Sequence, residues 1–306
     1  MPVGSDQTLA PARVLLTGAS SQIGVFAIPR LISAGHHVLA VSRTGRPPAY
    51  PEFEQAQWLN ESEALKEAPS CQYLISAGPM ELAQKFLAHG LKFKAVCVFS
   101  SSSVESKQHS ANPAERNLIE GMLRLESKLQ VLSQDRGVRL VILRPTLIYG
   151  CGLDTNISRL ARWISRFGFI PVNGRAAGLR QPVHADDLAS LAVATLLTTR
   201  VLPAVLPVSG GETLSYSDMV TRVFKAVGKP VRMLRLPEWL FVLLVRLVSV
   251  FRPGSGVNSE MVKRQQNDLV FDDRLARQLL DYRPRPFSPD SADFSLPLNL
   301  SNIDRL

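Results

Sequence analysis

Thr17-Gly18-Ala19-Ser20-Ser21-Gln22-Ile23-Gly24 follows a short apolar run, Arg13–Thr17, and opens a segment with helical apolar spacing from Gln22 to Ala34. The next apolar run is His37–Ser42. Strand, glycine turn, helix and strand within about 30 residues is the setting in which spaced glycines carry meaning. Gly18 lets the chain turn sharply out of the strand, and Gly24 lets the helix pack closely on the sheet. The free N–H groups at the helix start, backed by the helix dipole, then suit the diphosphate of a dinucleotide. Gly18, Ser20, Ser21, Gln22, Ile23 and Gly24 are therefore candidate cofactor-binding residues. Pro29 lies inside this helix and predicts a kink, and Gly35 is placed to end it.

The same alternation continues outward. Gln72–Ser76, Ala95–Ser100 and Arg139–Leu143 are continuous apolar runs, as buried parallel strands require, with helical patterns at Met80–His89 and Ala114–Gln134. The expected fold is α/β: a doubly wound parallel sheet of the Rossmann type with a smaller C-terminal substrate lobe. After Arg144-Pro145 the chain becomes richer in Pro, Gly and Arg. The expected organisation is a flexible tail at 1–11 and a dinucleotide-binding domain at 12–150. Part of 183–210 completes the sheet, and 151–182 with 211–306 forms the lobe.

With 45% hydrophobic and 20% charged residues over 306 positions, the composition is that of an ordinary globular protein. Met1–Ala12 has no basic stretch followed by an apolar run, so no secretory signal is expected. Three cysteines fit neither a disulfide framework nor a metal-ligand spacing; no metal and a reducing, cytoplasmic setting are expected. Cys71 and Cys97 sit in apolar runs as small buried thiols. The net charge is +9, of which +6 lies from Gly150 onward, where 20 basic residues stand against 14 acidic ones. A basic second half suits a small anionic ligand. No basic helix face interleaved with aromatics argues for nucleic acid. The apolar run Trp239–Val245 stops at Arg246, far short of the roughly 20 residues that span a bilayer. Segment 236–251 reads as a buried helix, a homodimer contact or a helix lying on a membrane surface.

Four further blocks carry a family resemblance. Ser76-Ala77-Gly78-Pro79 follows a strand, and Val98-Phe99-Ser100-Ser101-Ser102-Ser103-Val104 ends another. Leu143-Arg144-Pro145-Thr146-Leu147-Ile148-Tyr149-Gly150 and Arg180-Gln181-Pro182-Val183-His184-Ala185-Asp186-Asp187-Leu188-Ala189 follow later. With the glycine turn, where Ser21 stands in place of the family's middle glycine, the chain resembles the extended short-chain dehydrogenases/reductases grouped as NAD-dependent epimerases/dehydratases.

The resemblance implies that Ala77, Gly78 and Pro79 lie along the cofactor, and that Ser100, Ser101, Arg144, Pro145 and Leu147 stand near the nicotinamide. Ser102 matches the catalytic hydroxyl. Asn156, Arg175, Arg180 and His184 are the substrate candidates, Arg180 for a nucleotide-sugar diphosphate, with Arg162 adding positive potential. The family's carbonyl chemistry uses a Tyr-x-x-x-Lys pair on a helix. None of the five tyrosines here, Tyr50, Tyr73, Tyr149, Tyr216 and Tyr282, has lysine four residues on. In the helix where the pair belongs, Arg124 and Lys128 occupy one register, and Met122 and Glu126 another. Lys128 and Tyr149 are thus the remaining catalytic candidates beside Ser102. Ser42-Arg43-Thr44 ends the second strand with no acid to hold a ribose 2′-hydroxyl. Arg43 stacks on adenine or pairs with a 2′-phosphate, which favours NADP over NAD. Two functions follow as expectations: an atypical NAD(P)-dependent epimerase, dehydratase or reductase, or a non-catalytic NAD(P)-binding scaffold or redox sensor.

Overall fold

The computed structural model describes residues 11–47, 50–243 and 264–296. The expected tail at 1–11 therefore lies outside them except for its last residue, and so do residues 244–251 of the apolar segment. The first half alternates β1 (Arg13–Thr17), α1 (Gly24–Ser33), β2 (His37–Val41), β3 (Ala56–Leu59), α2 (Glu61–Glu67) and β4 (Tyr73–Ser76). Then come α3 (Met80–Ala88), β5 (Ala95–Phe99), α4 (Ser103–Ser106), α5 (Pro113–Asp135) and β6 (Arg139–Pro145). The second half holds β7 (Ile148–Tyr149), α6 (Ile157–Phe167), β8 (Ile170–Asn173), β9 (Leu179–Arg180), β10 (Val183–His184) and α7 (Ala185–Leu197). It continues with β11 (Val205–Val208), β12 (Leu214–Ser215), α8 (Tyr216–Ala226), β13 (Met233–Leu236) and α9 (Arg274–Leu280).

Seven strands form one sheet in the order β3-β2-β1-β4-β5-β6-β11, every neighbouring pair parallel. The doubly wound expectation holds. Successive strand side chains point to opposite faces, so Val14 and Leu16 enter the core beneath α1 and α7, and Leu15 enters that beneath α3 and α5. β11 is the edge strand beside β6. β3 has an alternating, half-exposed pattern, which gave the sequence no continuous run to show. Helix α1 runs unbroken through Pro29 and ends before Gly35. A third cluster in the lobe gathers Tyr149, Ile157, Ile164, Val220, Phe224 and Phe287 between α6 and α8.

One buried ion network joins the halves. Arg30 of α1 grips both oxygens of Asp186 (2.6 and 2.7 Å), and Arg285 reaches Asp186 and Asp187 of α7. Burial pushes the Asp186 carboxyl up, but the Arg30 and Arg285 guanidiniums together hold it below the usual carboxylate range. All three cysteines are free and buried, Cys71 and Cys97 as expected. Among the described residues no group of His, Cys, Asp and Glu could hold a metal ion, and no helix is long and apolar enough to cross a membrane.

Candidate active site

The sheet reverses its winding between β1 and β4, and the two strand ends meet there. Gly18 has φ +68°, and a Cβ on it would lie 2.4 Å from the Gly78 nitrogen. A Cβ on Gly24 would lie 2.3 Å from the Gly18 oxygen. Both glycines are therefore required by close backbone approach. The Ser21 hydroxyl accepts from the Gly24 N–H at 3.1 Å and so caps the helix. This gives Ser21 a local reason to replace a glycine, while its own proton stays available. Among the described residues, the amides of Ser20, Gln22 and Ile23 find no acceptor, and the buried Gln22 Oε1 finds no donor. Orphan amides at a helix start backed by glycines fit a diphosphate.

The flanks of this cradle are polar. Thr17 Oγ1 donates to Ser76 Oγ (2.9 Å), and the Ser20 and Ser42 hydroxyls lie 3.0 Å apart, joining the turn to the end of β2. Arg43 and Thr44 beyond Ser42 are exposed.

At the end of β5 the three serines have separate tasks. Ser100 donates its hydroxyl to Glu126 Oε1, and Ser101 accepts from the Ser103 N–H (3.1 Å). Ser102 donates its N–H to the Pro145 carbonyl (3.0 Å), but its hydroxyl has no partner among the described residues. Of the three hydroxyls it alone makes no hydrogen bond among the described residues. Arg144 turns its guanidinium onto Glu126 through two nitrogens and onto Glu105 at 2.9 Å. It thus holds Glu126 in place.

This contact also resolves the helix register. Glu126 is buried against Ser100, so Met122 and Leu118, one and two turns earlier on the same stripe of α5, lie beyond the carboxyl end of the sheet. Lys128 and Arg124 are exposed, each two residues (about 200°) from Glu126 around the helix. Arg124 pairs with Glu120. Lys128 thus points away from Ser100, and the stripe of α5 that carries Glu126 holds Leu118 and Met122, neither of which exchanges a proton.

Tyr149 is buried in the lobe core with its ring edge-on to His184 (5.0 Å) and Phe287 (4.9 Å), and burial together with the nearby Asp293 carboxylate raises its pKa. His184 caps α7, accepting from the Asp186 N–H at Nδ1 (3.1 Å), so its Nε2 proton points to Asp293 Oδ1 (3.0 Å). Both ring nitrogens are thus used within the protein. Cys151, beside the Gln22 carbonyl, is pushed up to about 12 by burial and is no nucleophile.

The remaining substrate candidates scatter. Asn156 is exposed at the start of α6, where the buried Asp154 does the capping by accepting from the Asn156 and Ser158 N–H groups. Arg175 is exposed. Arg180 is buried, and makes no ion pair with Asp186 or Asp187. It donates to the carbonyls of Leu179 (2.7 Å), Asn267 (2.8 Å) and Arg264, and lies over the Tyr216 ring. It thus anchors residues 264–271, a stretch that the sequence reading passed over. That stretch and α4 border an open depression of about 280 Å³ lined by Glu105, Ser106, Arg264, Asn267, Asp268 and Phe271, among others. Arg264 pairs with Glu115 of α5 at 2.8 Å. Only its place in a basic lobe could have marked it.

No protein-family model matches the chain. It is 28% identical over 159 residues to a UDP-glucose 4-epimerase of Vibrio cholerae, a match covering 52% of this chain and 46% of that protein. The chain thus aligns with less than half the length of that relative. It is 23% identical over 255 residues to a 2'-dehydrokanamycin reductase of Streptomyces kanamyceticus, covering 74% and 70% of the two chains. Among solved structures, a Bacillus cereus UDP-glucuronic acid 4-epimerase in complex with UDP-glucuronic acid and NAD superposes with a TM-score of 0.67. That match has 18% identity and covers 96% of this chain and 99% of that one. The likeness to this solved structure is one of fold, over nearly the whole of both chains.

Proposed function

We propose that the chain is an atypical NAD(P)-dependent epimerase, dehydratase or reductase acting on a nucleotide sugar or a similarly anionic substrate. The observation that carries this reading is the cradle of Gly18, Gly24 and Gly78 with three acceptor-less amides. Gly18, Ser20, Ser21, Gln22 and Ile23 hold the diphosphate, and Ala77, Gly78 and Pro79 lie along it. Ser42 and Arg43 meet the adenosine ribose, and Ser101, Pro145 and Leu147 flank the nicotinamide. When bound, the cofactor supplies a nicotinamide ring that takes up and returns hydride. Ser102 offers its hydroxyl to a substrate hydroxyl or carbonyl. Ser100, Glu126 and Arg144 fix the strand end that carries it. Arg180 and Arg264 bring positive charge to the substrate side.

Arg43 with no acid nearby favours NADP. In fluorescence titrations NADPH is expected to bind more tightly than NADH, and Arg43→Ala to cost NADPH about 10–100-fold and NADH little, the scale of a charge-assisted hydrogen bond. Tighter binding of NADH would reverse the cofactor choice. Ser102→Ala should lower turnover about a hundredfold while leaving NADPH affinity unchanged.

A second reading, a binding module without turnover, is favoured by Leu118 and Met122 on the site-facing stripe. The readings separate in an assay across nucleotide sugars. Turnover by the parent supports the enzyme. Cofactor binding with no turnover, together with turnover gained by Leu118→Tyr/Met122→Lys, supports the module.

A further inference from the structure

The solvent face of α6 repeats Arg159, Arg162, Trp163, Arg166 and Phe167 at helical spacing, and all five are exposed. The rings of Trp163 and Phe167 stack at 4.4 Å, and Arg166 lies 5.5 Å over the Phe167 ring. Trp163 Nε1 donates to the Phe169 carbonyl at 2.9 Å, which extends the patch past the helix end. The next residue, Ile170, donates its N–H to the carbonyl of exposed Arg232. Trp163, Phe167 and Phe169 remain 43, 47 and 41% exposed, so packing within the patch leaves much of each ring in water.

Charge makes the patch one-signed. From Thr155 to Ala185 the chain has five arginines and no acidic residue. Some exposed arginines elsewhere have a carboxylate neighbour, Arg124 in Glu120, Arg274 in Asp272 and Arg283 in Asp281, whereas others such as Arg43 and Arg175 stand singly among the described residues. Among the described residues, Arg159, Arg162 and Arg166 have no carboxylate partner; Arg162 reaches only the Gly152 carbonyl.

We propose that this face docks on an anionic lipid surface. Arginines without counter-charges supply attraction to acidic headgroups, and tryptophan and phenylalanine at the helix end are the side chains that settle at the headgroup level. A short convex helix offers no groove for a peptide. The same lobe also exposes Trp239 and Leu243. The proposal is independent of the reading of the cofactor site.

The test is co-sedimentation of the full chain with phosphatidylcholine vesicles, with and without phosphatidylglycerol. Binding is expected only with phosphatidylglycerol, and should weaken with salt. At about fivefold per charge, Arg159→Gln/Arg162→Gln/Arg166→Gln should lower partitioning about a hundredfold, and Trp163→Ser/Phe167→Ser should lower it as well. Thermal melts and NADPH titrations identify any variant that has merely unfolded, and the surface arginine variant is the one expected to melt like the parent. No binding, or equal binding to neutral vesicles, overturns the proposal. So does an arginine variant that binds like the parent while Trp239→Asp does not, which would move the contact to 236–251. Retention on single-stranded nucleic acid without vesicle binding overturns it, as does a dimer in light scattering that Trp163→Ser dissolves without vesicle binding.

Discussion

Gly18→Ala is expected to weaken NADPH binding more than a hundredfold and to lower stability by about 2–4 kcal/mol, from strain and overpacking together. The added methyl meets the Gly78 nitrogen at 2.4 Å and the Ala77 carbonyl carbon at 2.6 Å. Both are backbone atoms of a loop held to β1 by the Ala77 N–H to Thr17 carbonyl bond, so neither can swing aside. Relief requires the ends of β1 and β4 to part, which spreads the amides that were converging on one anion. The φ of +68° adds a cost of its own for alanine. Gly35→Ala provides the control. It also has a positive φ, +80°, but nothing lies within 4 Å of its added Cβ. It should lose about 1 kcal/mol and keep its cofactor affinity. Fluorescence titration and thermal melting of both variants check this, and equal NADPH affinity in Gly18→Ala and the parent would contradict the cradle.

The second large effect belongs to Asp186. Asp186→Leu should destabilise the fold by about 3–5 kcal/mol, because among the described residues it leaves Arg30 with no counter-charge and Arg285 with Asp187 alone. A melting temperature lower by about 10 °C follows for a chain of this size. The acid limb of the stability curve carries the same signature. Arg30 and Arg285 hold the folded carboxyl below the usual range, so the unfolded chain takes up this proton first as pH falls. The contribution of Asp186 is therefore complete well above about pH 3.9, the unfolded value, and fades below it as the folded carboxyl begins to titrate. Asp186→Asn should lose that component of the slope. Urea unfolding at a series of pH values measures it, and identical slopes in variant and parent would show that Asp186 is already neutral.

The features read correctly from sequence share a short range. The glycine turn, the apolar strands and the serine-rich end of β5 are set by neighbours within a few residues. So is the helix break at Gly35. The readings that failed needed a direction or a distant partner. Lys128 was counted by spacing alone, and two residues along a helix turns a side chain to the opposite face. Tyr149 sat in the right block, but an aromatic in a two-residue strand became core once Phe287 and His184 closed over it. Arg180, expected at a nucleotide-sugar diphosphate, also donates to carbonyls 84 and 87 residues away.

By itself, then, the sequence determined a dinucleotide turn, a parallel sheet, a basic second half and the absence of a Tyr-x-x-x-Lys pair. These depend on backbone geometry, periodicity and composition, all of which are local. Only the tertiary structure decided that Glu126 belongs to Ser100 and Arg144 and that Asp186 is shared by Arg30 and Arg285. Those pairings join residues from 18 to 156 positions apart. A charge or hydroxyl carries no mark of its partner until folding removes the water between them.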